Sequence, residues 1–580
     1  MNTDLDALVN QKAEKWLSGD YDDVTKEEIR RMMKDDRKGL VESFYKNLEF
    51  GTGGLRGIMG VGTNRMNAYT VAMATQGLAN YIKLQFGDEK LKVAIAYDSR
   101  NNSAEFADIT ARVFAANGFT VYLFDSLRPT PELSFAVRQL GCQSGVVITA
   151  SHNPKEYNGY KAYWNDGAQV TAPHDTNIIG EVNKIESLDQ VKWTGGEENI
   201  VRIGKDLDRI YMDRLRTLML SPEAVARHAD LKIVYTPLHG TGGVLVPEFL
   251  REVGFRNVTV VPEQAVPDGN FPTVKSPNPE EQSALQMAID LAVKEGAELV
   301  LATDPDADRV GIAVRNEKGE FVLLNGNQTA AILTYYLLTR WKELGKLDGK
   351  EFIVKTIVTS ELLARIAESF GVPYYNVLTG FKFIAEVIRR EEGKTRFIGG
   401  GEESYGFLVG DFVRDKDAVI SCAMIAEAAA WAKEQQGLSL YALLKKIYVQ
   451  YGFYKESLLS ITKQGKDGQE AIRQMMTDLR ANPPKSIQGS LVVEVRDYQE
   501  QVTHDLKTGT TLPIELPKSN VLQFLTEDGT IVSARPSGTE PKIKFYFGVR
   551  GDLCCVEKYD EVDRQLTEKI EAIKRELGLI

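Results

Sequence analysis

The chain has 580 residues, of which 43% are hydrophobic and 26% charged, and its formal net charge is −11. That length exceeds what one hydrophobic core serves, so about two to five domains are expected, and the composition is that of a folded globular protein. The acidic balance excludes general nucleic-acid binding, which needs a basic surface, but not a small anionic substrate, because the field in a cleft can oppose the net charge.

The first stretch, MNTDLDALVNQK, is polar and acidic and is no secretory signal. No apolar run is long enough to span a bilayer; the best, residues 423–432, is broken by Glu427. Cytoplasm and no membrane partner are the expectation. Cys142, Cys422, Cys554 and Cys555 show neither metal-ligand spacing nor a disulfide framework. The adjacent Cys554 and Cys555 read as a buried apolar pair.

Residues 1–48 read as helical, with Leu5, Leu8, Val9, Ala13 and Trp16 at helical spacing. Thr25-Lys26-Glu27-Glu28 has the form of a capping box opening a second helix. The stretch FGTGGLRG, residues 50–57, follows. It is either an ordinary glycine turn or a backbone that lets a phosphate approach, with Arg56 supplying charge. A strand at Lys92–Tyr97 leads into Asp98-Ser99-Arg100; a helix over residues 104–117 and a strand at Thr120–Phe124 follow. That β-α-β order implies a parallel sheet. Arg100, at a strand end, either contacts a phosphate or pairs with Asp98. Arg128-Pro129-Thr130-Pro131 reads as a turn.

An apolar run, Val146-Val147-Ile148, then enters TASHNPKEYNGYK, residues 149–161. Strand ends in α/β sheets are where ligands bind, so the Ser151 hydroxyl is well placed for chemistry. His152 and Lys161 are candidate proton carriers; the plain alternative is a Ser-Asn-Pro turn.

A helix over residues 207–220 looks like entry to a second domain. A strand from Lys232 precedes PLHGTGG, residues 237–243, which is either an anion-binding helix start or, the favoured reading, a structural turn. The stretch LVLATDPDADR, residues 299–309, delivers Asp304, Asp306 and Asp308 on alternate positions. Three carboxylates so close repel one another unless a cation sits between them, and hard oxygen ligands in a compact loop suit Mg²⁺. A solvated acidic turn is the alternative; an EF-hand lacks its later Gly and Glu here.

A third domain is expected to begin near Asn325. LTGFKF, residues 378–383, and GGGEESYG, residues 399–406, are its candidate site segments, the glutamates being acceptors for sugar hydroxyls. From about residue 452 the composition turns to a smaller α+β unit ending in a long helix. Within it ARPSGTEPKIKFYF, residues 534–547, offers guanidinium, hydroxyls and backbone N–H groups suited to a phosphate dianion.

TASHNPKEYNGYK resembles the active-site serine loop of the α-D-phosphohexomutases, the phosphoglucomutase/phosphomannomutase superfamily. The resemblance extends in family order to DPDADR, GGGEESYG and RPSGTEPK, and so covers nearly the whole chain; its length and GTGGLRG entry are most similar to the long bacterial type. It implies three similar α/β domains with mixed sheets and a C-terminal α+β domain around a central cleft, at residues 1–206, 207–324, 325–451 and 452–580. It implies a phosphoryl-carrying Ser151 with Arg56 beside it, and Mg²⁺ on Ser151, Asp304, Asp306 and Asp308. It further implies substrate contacts at Arg100, Arg309, Thr379, Gly380, Lys382, Glu402 and Ser404, and a phosphate loop of Arg535, Ser537, Gly538, Thr539 and Lys542.

The implied reaction is reversible conversion of α-D-glucose 1-phosphate to glucose 6-phosphate through glucose 1,6-bisphosphate, with His152 and Lys161 moving protons. Small-molecule sugar phosphates are the expected partners, and no obligate protein partner is inferred. The alternatives are a phosphopentomutase or phosphomannomutase on the same loops, a metal-dependent sugar phosphatase, and a non-catalytic sugar-phosphate binding protein.

Overall fold

The computed structural model describes residues 3–51, 53–87, 90–463, 465–537 and 542–580. Three α/β units and a C-terminal α+β unit follow one another, each built on its own sheet. No helix among the described residues is long and apolar enough to cross a membrane.

The N-terminal helices Thr3–Ser18, Asp23–Asp35 and Arg37–Phe44 bury Val9, Ala13, Trp16, Ile29 and Phe44 in a cluster of their own. The second helix does not open at Thr25, as its sequence suggested. Asp22 is the cap, and its carboxylate accepts from the Thr25 N–H at 2.8 Å and from the Thr25 hydroxyl at 2.7 Å. A carboxylate one turn earlier satisfies the same free N–H groups, so the helix starts there.

The first sheet contains β1 (Gly54–Ile58), β2 (Lys92–Tyr97), β3 (Thr120–Phe124), β4 (Ser144–Ile148), β5 (Tyr157–Trp164) and β6 (Ile200–Ile203), in the order β1-β5-β4-β2-β3-β6. Strands β4, β2, β3 and β6 run parallel, while β1 and β5 are antiparallel additions. GTGGLRG is therefore mostly strand rather than turn. Its Gly54 has φ +134°, and a Cβ there would lie 1.7 Å from the Tyr160 carbonyl oxygen, so close pairing of β1 with β5 requires glycine. Arg128-Pro129-Thr130-Pro131 is likewise more than a turn. It opens the helix Thr130–Gln139, with proline in the first turn, where no N–H is needed.

The second sheet has β7 (Lys232–Thr236), β8 (Asn257–Val260), β9 (Leu299–Thr303), β10 (Val310–Arg315) and β11 (Phe321–Leu324), in the order β11-β10-β9-β7-β8. The third has β12 (Glu351–Thr356), β13 (Tyr374–Val377), β14 (Arg396–Gly401) and β15 (Phe407–Val409), in the order β13-β12-β14-β15. Asn325 and Gln328 form a capping box before the helix Gly326–Glu343. The glycines of GGGEESYG finish β14 instead of forming a loop, and a Cβ on Gly400 would meet the Val354 carbonyl oxygen at 2.3 Å. The helix Ala418–Gln436 is buried over most of its length and joins the second and third units in one apolar cluster.

Gly452 (φ +100°) caps the helix Leu440–Tyr451 and leads into the first strand of the last sheet. That sheet holds β16 (Phe453–Thr462), β17 (Ser486–Ile487), β18 (Ser490–Asp497), β19 (Val502–Asp505), β20 (Thr510–Pro513), β21 (Leu522–Thr526), β22 (Ile531–Pro536) and β23 (Lys542–Gly551), and the helix Tyr559–Glu576 covers it. Stacked rings of Tyr448, Phe453 and Tyr559, with successive centroids 4.3 Å and 4.9 Å apart, bind this unit to the third.

Candidate active site

Ser151 stands where β4 ends, and the apolar strand fixes its start. Its φ of 53° is a left-handed conformation that costs energy for any residue but glycine. The turn around it is held from below. The Ser151 N–H donates to Thr149 Oγ1 at 2.8 Å, and the Thr149 hydroxyl donates to Asp98 at 2.7 Å. Arg100 completes the cradle. Its guanidinium donates to the carbonyls of Ser151, Asn153, Pro154 and Tyr157, and it pairs with Asp98 at 3.3 Å. Its side chain is wholly buried. Of the two sequence readings of Arg100, the pairing with Asp98 is the one seen in the structure. The two terminal nitrogens of Arg100 are engaged by the carbonyls of the serine turn, while Nε makes no hydrogen bond among the described residues.

The Ser151 hydroxyl donates to Asp304 Oδ2 at 2.8 Å and lies 3.2 Å from His152 Nδ1. This bond joins the first unit to the second. Asp304, Asp306 and Asp308 leave β9 and gather their carboxylates so that one oxygen of each lies within 4.8 Å of the others. The loop is braced by other chain segments. The Thr130 hydroxyl donates to Asp306 Oδ2 at 2.9 Å, and the Asp308 and Arg309 N–H groups donate to Asp304 Oδ1 at 3.2 and 3.1 Å. The glycines of PLHGTGG serve this brace. A Cβ on Gly240 would fall 2.4 Å from Pro305 Cα, and His239 is bonded through both ring nitrogens, to Val266 O and Thr273. The structural reading of that stretch holds.

Lys161, on β5, places Nζ 2.7 Å from Asp306 and 3.4 Å from Asp308. Lys416 reaches Asp308 from the other side at 3.2 Å, and Asp415 at 3.1 Å. Burial raises the Asp304 carboxyl far above the usual range, and Asp306 and Asp308 add to it. Burial works the same way on Asp306, but Lys161 and the Thr130 hydroxyl outweigh it and hold its acid below the usual range. His152 is pushed well down by burial and by Arg309 and Arg56 nearby. Asp306 Oδ1 and Asp308 Oδ1 are buried without a hydrogen-bond partner among the described residues. Orphaned, hard carboxylate oxygens around one point fit a divalent cation such as Mg²⁺.

A cavity of about 570 Å³ unites the four units. Arg56, Ser151, His152 and Lys161 line it from the first and Glu280, Asp308 and Arg309 from the second. The third supplies Thr379, Gly380, Glu402, Ser404 and Lys416, the fourth Arg535 and Lys544. Glu402 accepts from the Gly380 N–H at 2.8 Å, which sets the carboxylate at the wall. Glu403, by contrast, accepts from Thr356 and Thr359 at 3.1 and 3.2 Å and braces the third unit.

Lys382 does not join this wall as expected. It sits on the helix Phe381–Glu391 with Nζ 3.9 Å from Asp175 and 5.2 Å from the Phe383 ring, facing the first unit. Arg535 and Lys544 are direct partners across β22 and β23. Lys542 lies two positions nearer the turn, Ser537 donates its N–H to the Lys542 carbonyl at 2.7 Å, and Gly538 and Thr539 lie outside the described residues.

Sequence reasoning missed Lys416, Lys544, Glu280 and Thr130. The signal for Lys544 was present, because it alternates with Lys542 on one face of a strand. Lys416 carries a structural sign instead: a Cβ on Gly406 would overlap its Cδ at 2.1 Å, so that glycine makes room for the lysine stem. Cys554 is exposed and Cys555 half-buried, which corrects the expectation of a buried pair; in this turn it is Leu553 that enters the core.

Comparison with known proteins agrees with this geometry. Models of phosphoglucomutase/phosphomannomutase α/β/α domains I, II and III match residues 47–189, 209–319 and 325–451, and that of the C-terminal domain matches residues 475–561. A phosphoglucomutase of Staphylococcus aureus strain MRSA252 is 38% identical over 566 residues, covering 97% of this chain and 99% of that one. Among solved structures, a putative phosphomannomutase from Thermus thermophilus shares the fold, with a TM-score of 0.66 at 22% identity over 90% of this chain and 99% of that one. The pp63/parafusin protein of Paramecium shares it too, with a TM-score of 0.64 at 16% identity over 91% of this chain and 96% of that one. The four-unit cleft, its serine turn and its aspartate cluster thus belong to an enzyme, and the chain is a member of the phosphoglucomutase/phosphomannomutase family of mutases.

Proposed function

We propose that this chain interconverts α-D-glucose 1-phosphate and glucose 6-phosphate through a phosphoserine at Ser151 and bound glucose 1,6-bisphosphate. The observation that carries the reading is the bond from the Ser151 hydroxyl to Asp304, which brings the nucleophile of one unit onto the carboxylate cluster of the next. The free sugar hydroxyl attacks phosphorus, the bond from phosphorus to Ser151 Oγ breaks, and the hydroxyl proton leaves to a group of the first unit. Lys161 and His152 both line the cavity within reach of that task. The reverse step returns the other phosphoryl group to Ser151. Asp304, Asp306 and Asp308, with the Ser151 phosphoryl, would hold the Mg²⁺, which would supply positive charge against the group in transit.

Arg56 flanks the phosphoryl group, and Thr379, Gly380, Glu402 and Ser404 grip the sugar. Arg535 with Lys544, Ser537, Gly538, Thr539 and Lys542 hold the phosphate that is not reacting. The loops are assigned to units at residues 1–206, 207–324, 325–451 and 452–580. The name of the Staphylococcus aureus relative supports glucose as the sugar.

Glucose, mannose and ribose 1-phosphates assayed side by side test the choice. The highest kcat/KM is expected with glucose 1-phosphate, and a mannose or ribose preference moves the assignment to the corresponding mutase. Continuous release of inorganic phosphate, with no sugar 6-phosphate formed, identifies a phosphatase instead.

A further inference from the structure

Arg309 is held at both ends. Its backbone N–H donates to Asp304 Oδ1 at 3.1 Å, and its Nη1 donates to Glu280 Oε1 at 2.7 Å. Its Nε has no hydrogen-bond partner among the described residues and stands 3.9 Å from Asp308 Oδ1. A guanidinium carries five N–H donors in a rigid fork, so one bond to a carboxylate leaves the others available. Arg309 and Glu280 line the same cavity as Ser151.

Glu280 is itself fixed. Its N–H donates to Asn278 Oδ1 at 3.1 Å, and the Glu281 N–H donates to the Asn278 carbonyl at 3.1 Å. Pro279, one residue earlier, presses on β10, where a Cβ at Gly311 would lie 2.2 Å from the Pro279 carbonyl oxygen. Gly311 is two residues after Arg309. The turn that carries the carboxylate is therefore seated on β10, the strand that starts one residue after the arginine, so backbone packing brings the two residues together.

An ion pair open to a cleft adds little to stability, but it decides where a long side chain points. The other carboxylates whose charge reaches Arg309 are Asp308, Asp304 and Glu402. Without Glu280 the guanidinium would fall on the aspartate cluster and neutralise the oxygens that suit a cation.

We propose that Glu280 is a positioning residue, which keeps the Arg309 guanidinium from hydrogen-bonding onto the three aspartates and leaves its remaining donors open to the phosphoryl group on Ser151. The proposal rests on the phosphoserine reading above and adds a role for a residue outside the sequence motifs.

Steady-state kinetics of purified variants with Mg²⁺ and glucose 1-phosphate test it. Glu280→Ala is expected to lower kcat about 10- to 100-fold, the scale of a displaced active-site group, with KM changed less than about threefold and the melting temperature unchanged. Glu280→Gln, whose amide oxygen still accepts from Nη1, should recover most of that loss. Glu280→Ala added to Arg309→Ala should cost little more than Arg309→Ala alone, because both remove one arrangement. Should Glu280→Ala fold poorly, Glu280→Asp gives the same reading, since the shortened carboxylate no longer reaches Nη1.

Wild-type kcat in both Glu280→Ala and Glu280→Asp overturns the proposal. So does a raised KM at constant kcat, which would make Glu280 a direct sugar contact, or full additivity with Arg309→Ala. The wild-type enzyme in the same assay separates the two levels: no sugar-phosphate turnover defeats the function, whereas normal turnover with indifferent variants defeats only the role of Glu280.

Discussion

A serine held at φ 53° is a choice against local stability. The left-handed backbone costs an L-residue about 1–2 kcal/mol, and that strain is sustained by Arg100 and Thr149 beneath the turn. Two substitutions separate chemistry from strain. Ser151→Ala should abolish turnover and leave the fold intact, and phosphoryl label should no longer map to the peptide that carries residue 151. Ser151→Gly should be equally inactive yet unfold at higher denaturant than Ser151→Ala, by about 1 kcal/mol, since glycine adopts this conformation freely. Near-normal turnover in either variant defeats the nucleophile assignment, and equal midpoints defeat the strain account. Residues such as Ser151 and the three aspartates were legible in the sequence because neighbouring residues in one turn carry the whole signal. Arg100 and Lys382 were not. Both are cations beside motifs, and only the packed chain shows that one is engaged by carbonyls and the other faces Asp175.

Among the elements, strands delivering site residues were the most readable, because β4 and β9 are unbroken apolar runs that end in polar turns. Glycine clusters misled. In GTGGLRG and GGGEESYG, Gly54 and Gly400 permit close strand pairing, which depends on a partner strand remote in sequence. The hairpin of β22 and β23 illustrates both sides: Arg535 was visible in its motif, whereas its partner Lys544 emerges from the register. A charge-assisted hydrogen bond contributes about 1.5–3 kcal/mol, so Arg535→Ala should lose about tenfold to a hundredfold in kcat/KM. Both glucose 1-phosphate and glucose 6-phosphate should suffer alike if each presents its phosphate to this hairpin. A loss confined to one of them, beyond what the reaction equilibrium demands, would contradict a shared clamp.

At the scale of the molecule, the order of the four units and a central cleft between them followed from the family resemblance, but several side chains of its walls, Lys416, Lys544 and Glu280 among them, did not, because those walls meet only after the sheets pack. Ser151 from the first unit and Arg535 with Lys544 from the last all line the cavity. On the proposed mechanism, a bisphosphate formed there would have to turn end for end before its second phosphoryl group could reach Ser151. Gly452 and the stacked Tyr448, Phe453 and Tyr559 lie where the last unit joins the third, so a swing that frees the sugar is expected to turn about this junction. Enzyme stripped of its phosphoryl group should then show a lag that glucose 1,6-bisphosphate abolishes. In a single turnover with labelled phosphate, the product should carry the enzyme's phosphoryl group and the substrate's own should remain on Ser151. Direct passage of the substrate's phosphate to its new position on the sugar would rule out reversal.

The thiols offer a way to watch that swing. Cys142 and Cys422 are buried, whereas Cys554 is exposed and borders the crease lined by Arg365, Tyr451 and Gly452. A thiol-reactive dye should therefore label the native protein first at the rim of this crease, at Cys554 or its neighbour Cys555. With Cys555 replaced by serine, a single fluorophore would stand beside this junction, and its emission would follow the opening and closing of the cleft in real time without a foreign cysteine being engineered into the chain.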